Sequence, residues 1–156
     1  MLYYALKNNG AYKLITESNI ETTKDFIKIN SVKDKSNLTK VIGSRSHSNK
    51  DFDNWINDNC NNFELIQIGS SLKFCYLAES KANIYPRLGP TSEWDIAAAH
   101  AVLNSHGGSV INIEKGTKLD YAKKTTILNP YFMAFRNKAL ENEFLHLLRD
   151  FFKKLV

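Results

Sequence analysis

The 156-residue chain has little cysteine, proline or arginine. Its two cysteines, Cys60 and Cys75, are too few for a disulfide scaffold and are not spaced as a metal pair. The expected compartment is a reducing cytoplasm. The four histidines, His47, His100, His106 and His146, are scattered, so a zinc or iron–sulfur site is not expected from this chain alone. No apolar run approaches the roughly 20 residues that cross a bilayer. The opening MLYYALKNNG lacks the basic, apolar, small-residue order of a signal peptide. No transmembrane segment is therefore expected. Arginine supplies four of the 21 basic residues and lysine the other 17. The net charge is +5 and the isoelectric point about 9.1. Lysine is the commoner solvated cation, whereas bidentate phosphate gripping favours arginine. The charge is spread along the chain, without a basic stripe interleaved with aromatics, so no nucleic-acid partner is expected.

What is present reads as one ordinary α/β domain. Apolar residues make up 43% and charged residues 24%. Leu2 to Tyr4 and Ala11 to Ile15 flank Asn8-Asn9-Gly10, which predicts a hairpin. Short strands are expected around Phe26–Ile29, at Val41–Gly43, over Phe63–Ile68 and over Ala82–Tyr85, the last stopped by Pro86. Further strands are expected at Val110–Ile113 and Tyr131–Phe135. Phe52, Trp55 and Ile56 have helical spacing, closed by a cluster of asparagines. Ser70 or Ser71 is placed to cap a helix carrying Leu72, Cys75, Tyr76 and Leu77. Ser92 and Asp95 have capping-box spacing ahead of an uncharged run, Ile96 to Leu103 apart from His100, expected to be buried on most sides. From Asn137 the stripe Leu140, Phe144, Leu147, Leu148, Phe151 and Leu155 predicts an amphipathic helix, packed on its own domain or on a partner. Helices between strands argue for a layered sheet with flanking helices.

Three polar constellations follow strands: Gly43-Ser44-Arg45-Ser46-His47, Gly69-Ser70-Ser71-Leu72-Lys73 and Pro86-Arg87-Leu88-Gly89-Pro90, the last running into Trp94-Asp95. Ligands of α/β sheets gather at the carboxyl ends of strands. Ser44, His47, Ser70, Ser71, Lys73 and Arg87 are the types that hold a phosphate. The plainer alternative is that the serines cap, Lys73 is solvated and Arg87 pairs with a surface acid. For Asp95 the alternatives are a first-turn carboxylate facing the helix dipole and a Mg²⁺ ligand.

The runs Gly69–Cys75, Ala78-Glu79, Ile84–Thr91 and Glu93–Leu103, with Ser44–His47, Gly107-Gly108, Leu119–Tyr121 and Leu128–Pro130, closely resemble the CysQ-type 3'(2'),5'-bisphosphate nucleotidases of the inositol monophosphatase superfamily. The resemblance spans roughly residues 3 to 135, and Trp94-Asp95-Ile96-Ala97-Ala98 carries its most specific signature. It implies the C-terminal half of the inositol monophosphatase-like fold. It also implies Mg²⁺-dependent removal of the 3'-phosphate of adenosine 3',5'-bisphosphate to give AMP, in sulfur metabolism. Asp95 is then a ligand of the catalytic magnesium. Ser70, Ser71 and Lys73 lie along phosphate and sugar, and Ser44, His47 and Arg87 line the nucleotide pocket.

The sequence departs from that family at one decisive point. The family's Asp-Pro-(Ile or Leu)-Asp-Gly-Thr loop and its upstream glutamate, which supply the other metal ligands, are absent. The expectation is a C-terminal-type phosphatase domain over residues 1–136, truncated before Tyr3, with the helix 137–156 appended. Such a chain alone should hydrolyse nucleotide very poorly or not at all. A separate N-terminal half or a homo-oligomer would complete it. The competing class is a non-catalytic nucleotide- or phosphate-binding domain, or a structural one.

Overall fold

A computed structural model describes residues 1–15, 26–30, 37–43, 50–122 and 125–155. A small sheet opens the chain: β1 (Leu2–Leu6), β2 (Gly10–Leu14) and β3 (Ile27–Lys28), all antiparallel. Leu6 pairs with Gly10 across the turn. Asn8 takes φ +64 and Gly10 φ +104, the left-handed conformations that asparagine and glycine adopt most cheaply. The larger sheet contains β4 (Thr39–Gly43), β5 (Phe63–Gln67), β6 (Ile84–Arg87), β7 (Ser109–Asn112), β8 (Thr117–Lys118) and β9 (Phe132–Phe135). Its order is β5-β4-β6-β9-β7-β8. β5, β4 and β6 are mutually parallel, and β9, β7 and β8 each run antiparallel to the strand before them in that order. Four helices complete the architecture: α1 (Lys50–Asn59), α2 (Leu72–Ala78), α3 (Glu93–Ser105) and α4 (Lys138–Leu155).

Alternation along the strands sorts the core into two layers. Ile42, Tyr85, Val110, Phe132 and Ala134 face one cluster, with Phe74 and Leu77 of α2 and Ile96, Val102 and Leu103 of α3. Val41, Ile84, Ile111, Met133 and Phe135 face the other, with Trp55 and Ile56 of α1 and Phe144 of α4. The layers are thus the small sheet, α2 with α3, the large sheet, and α1 with α4. Both faces of β9 are fully covered, and each large side chain buried this way contributes about 1.5–3 kcal/mol. Gly108 lets β7 start close under the end of α3: a Cβ there would stand 2.3 Å from Leu103 Cδ1 and 2.7 Å from the Phe135 carbonyl oxygen.

Two buried carboxylates tie the layers together. Glu79, at the end of α2, accepts hydrogen bonds from the Tyr3 phenol and the Lys13 ammonium of the small sheet, and Lys81 Nζ lies 3.2 Å away. Burial pushes the Glu79 carboxyl up, but these donors outweigh it and hold it below the usual carboxylate value. Glu141 of α4 accepts from Ser109 Oγ of β7 at 2.7 Å and pairs with Lys138. Burial again opposes, and Lys138 and Ser109 hold the Glu141 carboxyl low.

Three details differ from expectation. Pro86 lies inside β6, paired with Met133. Among the described residues β4 pairs with β6 at Val41–Ile84 alone, so the ladder described on that side requires no N–H from Pro86. α3 is not buried on most sides: Trp94, Asp95, Ala98, Ala101 and Asn104 are exposed. Its alanines leave one uncharged face open while Ile96, Ala99, His100, Val102 and Leu103 pack inward. The short strand β8 has no counterpart in the sequence pattern.

Candidate functional site

The parallel strands β4, β5 and β6 end together, with Gly43 beside Gln67 and Arg87 closing β6. The second and third polar constellations leave the sheet at this shared carboxyl edge, and the first follows Gly43 in sequence. Ser44 and His47 lie outside the described residues. Ser70, Ser71, Lys73, Arg87 and Asp95 are described, and they fall into two groups.

The first group is the turn into α2. Ser70 is exposed with φ +60, a conformation that a residue with a Cβ rarely adopts. Ser71 occupies the N-cap position but is already helical, at φ −67 and ψ −10, and makes no side-chain cap bond. The serine-cap expectation therefore fails here, because a capping side chain needs an extended backbone to reach forward. Lys73 is not solvated either. It is 7% exposed, its ammonium donates to the Ser70 carbonyl at 3.3 Å, and it stands 5.4 Å from the centre of the Tyr85 ring. Lys73 thus braces the strained Ser70 while placing a positive charge under the turn. Arg87 shares a face of β6 with Tyr85, two residues back. Among the described residues it pairs with no acid: Nε donates to the Gly89 carbonyl at 3.2 Å and Nη2 to that of Pro90 at 2.8 Å. A guanidinium has five N–H donors, so these two bonds shape the loop and leave further donors for an anion. Burial raises the Tyr85 phenol to about 12, against the pull of Arg87. Tyr85 is the neutral spacer between the two cations, and strand alternation from Arg87 was the signal that could have found it.

The second group is the turn into α3. Ser92 is extended, at φ −91 and ψ 157, and forms a capping box with Asp95. The Asp95 carboxylate accepts the Ser92 backbone N–H at 2.8 Å, and the residue is exposed. Its local role is therefore realised, and it also presents a fixed carboxylate to solvent. Behind it, His100 Nδ1 lies 2.6 Å from the Tyr121 hydroxyl. His100 stacks at 6.5 Å on Phe74, which is edge-on to Tyr85 at 5.5 Å. Burial lowers the His100 imidazole to about 4, so it is neutral at pH 7. Burial, with the Glu93 charge nearby, raises the Tyr121 phenol. This aromatic floor of Phe74, Tyr85, His100, Tyr121 and Phe132 joins the two turns from below.

A magnesium ion takes oxygen ligands in near-octahedral array. Among the described residues no group of three His, Cys, Asp or Glu side chains is placed to hold a metal ion. Asp95 alone does not make such a site. Two hollows of about 190 and 390 Å³ are lined by other residues, among them Lys118 and Asp120 in the first and Asn83 and Arg136 in the second. Among the described residues no helix is long and apolar enough to cross a membrane.

Comparison with known proteins adds descent to this geometry. The family model described as the inositol monophosphatase family matches residues 1–150. The 3'(2'),5'-bisphosphate nucleotidase CysQ of Salmonella typhimurium is 42% identical over 92 residues, which is 59% of this chain and 37% of that protein. An uncharacterized protein in the pss 5' region of Rhizobium leguminosarum is 48% identical over 86 residues, 51% of this chain and 90% of that one. The crystal structure of CysQ from Bacteroides thetaiotaomicron superposes with a TM-score of 0.74 at 32% identity, covering 87% of this chain and 54% of that one. The matched region thus spans well under half the length of the curated nucleotidase and about half of the solved one. On the match over residues 1–150, the chain belongs to the inositol monophosphatase family.

Proposed function

We propose that this chain serves Mg²⁺-dependent hydrolysis of the 3'-phosphate of adenosine 3',5'-bisphosphate, yielding AMP and phosphate. The observation that carries the reading is the Asp95 carboxylate, pinned by the Ser92 N–H at the start of α3 and still exposed. Asp95 supplies one ligand to the magnesium, and the rest of the ligand set comes from outside the described residues. The substrate's phosphates lie along Ser70 and Ser71, with Arg87 donating and Lys73 contributing charge from below, and Ser44 and His47 face the nucleotide. In the reaction a water oxygen bonds to phosphorus, the bond from phosphorus to the 3'-oxygen breaks, and that oxygen leaves as a hydroxyl with a proton. Asp95 has no further carboxylates grouped with it among the described residues to hold a metal ion, so the chain alone should turn over slowly. The CysQ protein of Salmonella typhimurium that it resembles is named as a bisphosphate nucleotidase, which supports the substrate class. The setting is sulfur metabolism in the cytoplasm.

A second reading is favoured by the single carboxylate: a domain that binds the bisphosphate without hydrolysing it, or one half of a phosphatase completed by another chain or copy. One experiment separates them. The purified chain is titrated with adenosine 3',5'-bisphosphate by calorimetry, with and without Mg²⁺, and released phosphate is assayed in the same samples. Phosphate release lost in Asp95→Ala supports the enzyme. Binding without release supports the binder, and no binding at all sinks both readings.

A further inference from the structure

The segments 119–122 and 125–129 grip α3 at two places, and Asp95 lies between them. At the helix start, Glu93 N–H donates to the Ile127 carbonyl at 2.9 Å and Asn129 N–H to that of Thr91 at 2.8 Å. Asn129 Nδ2 donates to Thr91 Oγ1 at 3.2 Å, and Ser92 bridges Leu128. Ala122 N–H donates to both oxygens of the Glu93 carboxylate, at 3.2 and 3.0 Å. One turn beyond Asp95, the Tyr121 hydroxyl meets His100 Nδ1 at 2.6 Å, ring edge to ring face at 5.5 Å. His100 is 5% exposed and cannot yield. Between these two grips Ala122 holds φ +56, which an alanine keeps only when its neighbours impose it. Beside it stand Tyr121, seated on His100, and Glu93, which accepts its N–H.

We propose that Tyr121 is a positioning residue for Asp95. Its phenol, locked on His100, holds Ala122 in the left-handed conformation that aims its N–H at Glu93. That clamp fixes the first turn of α3, and with it the register in which Asp95 meets the Ser92 N–H. This inference rests on Asp95 being the working carboxylate of the proposed reaction. Freed from the clamp, the turn would fray as helix ends do, and the carboxylate would sample several directions instead of one.

The test is amide hydrogen exchange of the full chain, resolved by NMR, in wild type and Tyr121→Phe, which removes one oxygen and keeps the ring. The expected result is about five- to tenfold faster exchange at Ser92, Glu93 and Ala122, the effect of one lost buried hydrogen bond on local opening. The amides of Ile84–Arg87 and Phe132–Phe135 should not change. The Ser92 amide reads Asp95 directly, because that carboxylate is its acceptor. Glu93→Gln, which weakens the acceptor of Ala122, should speed the same three amides. Unchanged exchange at Ser92 overturns the proposal. So does an equal rise in Phe132–Phe135, which marks a loss of global stability. If the chain releases phosphate, Tyr121→Phe should lower kcat several-fold with KM unchanged, and an unaltered kcat overturns the proposal. Absence of turnover in wild type counts against the phosphatase reading alone, and the exchange pattern then decides.

Discussion

α2 and α3 begin alike in sequence, each with serine after a glycine-bearing loop that leaves a strand, yet they begin differently in space. α3 starts from an extended serine in a capping box, and segments 119–122 and 125–129 bind its first turn. α2 starts from a left-handed Ser70 and an already helical Ser71 whose hydroxyl caps nothing. One turn is closed around a carboxylate, and the other leaves two serines beside a buried cation. In the proposed function this difference would become a division of labour, with α3 aiming a fixed acid and α2 offering hydroxyls and charge to a phosphate. The shared floor of aromatic rings keeps the two in register.

Removing that floor should break the comparison most strongly. Phe74 of α2 touches Tyr85, His100 and Phe132, and it is 1% exposed. Phe74→Ala should cost about 3–5 kcal/mol in urea unfolding. A loss below about 1 kcal/mol would mean the two turns are not joined through this ring.

Acid should weaken the α3 side next. The neutral His100 has its folded value lowered to about 4 from 6.5, so between those pH values the unfolded chain binds the proton and the folded chain does not. Stability should therefore fall as pH drops from 6.5 to 4, by an amount on the order of 3 kcal/mol, and this contribution levels off below 4. Glu79 and Glu141, whose folded values are lowered, add losses of the same sign as pH falls below the ordinary carboxylate value. The urea midpoint followed against pH in wild type and His100→Gln checks the assignment. The variant should lose most of the slope between pH 6.5 and 4, the remainder belonging to His106, whose imidazole is also lowered by burial, and keep the loss below it. A slope unchanged in the variant would assign it elsewhere.

On the α2 side the corresponding anchor is Glu79. Glu79→Gln keeps the shape but leaves Lys13 and Lys81 without their counter-charge, at a cost of about 1–3 kcal/mol. Amide exchange should rise first in β1 and β2 and leave the start of α3 unchanged. A rise shared equally by α3 would show that the small sheet and α3 open as one unit.

Much of this architecture was legible in the sequence, because period and turn chemistry act locally. The Asn-Gly hairpin, the helices at Trp55 and from Asn137, and the Ser92-Asp95 box are all written within a few residues. What was not legible depends on neighbours far along the chain. Pro86 sits within a strand that pairs with β9 along its length and, among the described residues, with β4 only at Ile84, and no local rule states it. Lys73 is buried because Tyr85, twelve positions on, folds beneath it. Tyr121 meets His100 through a loop, with no periodic signal to mark the pair. The resemblance supplied Asp95 as a site residue, whereas the residues that hold its turn came only from the structure.

The smallest effect separates the two turns most directly. Asp95→Ala removes the acceptor of the Ser92 N–H and the acid facing the α3 dipole, and should cost about 1 kcal/mol of stability. Asp95→Asn keeps an acceptor oxygen and loses the charge, so it should cost about half as much. Ser71→Ala removes a hydroxyl that makes no cap bond, and should lie within about 0.5 kcal/mol of wild type. All three are read from the shift in urea midpoint at constant slope. If Ser71→Ala costs as much as Asp95→Ala, the Ser71 hydroxyl is capping α2 after all. The α2 turn would then be as closed as that of α3, and the carboxyl edge would keep only Ser70, of the two serines in this turn, to meet a phosphate.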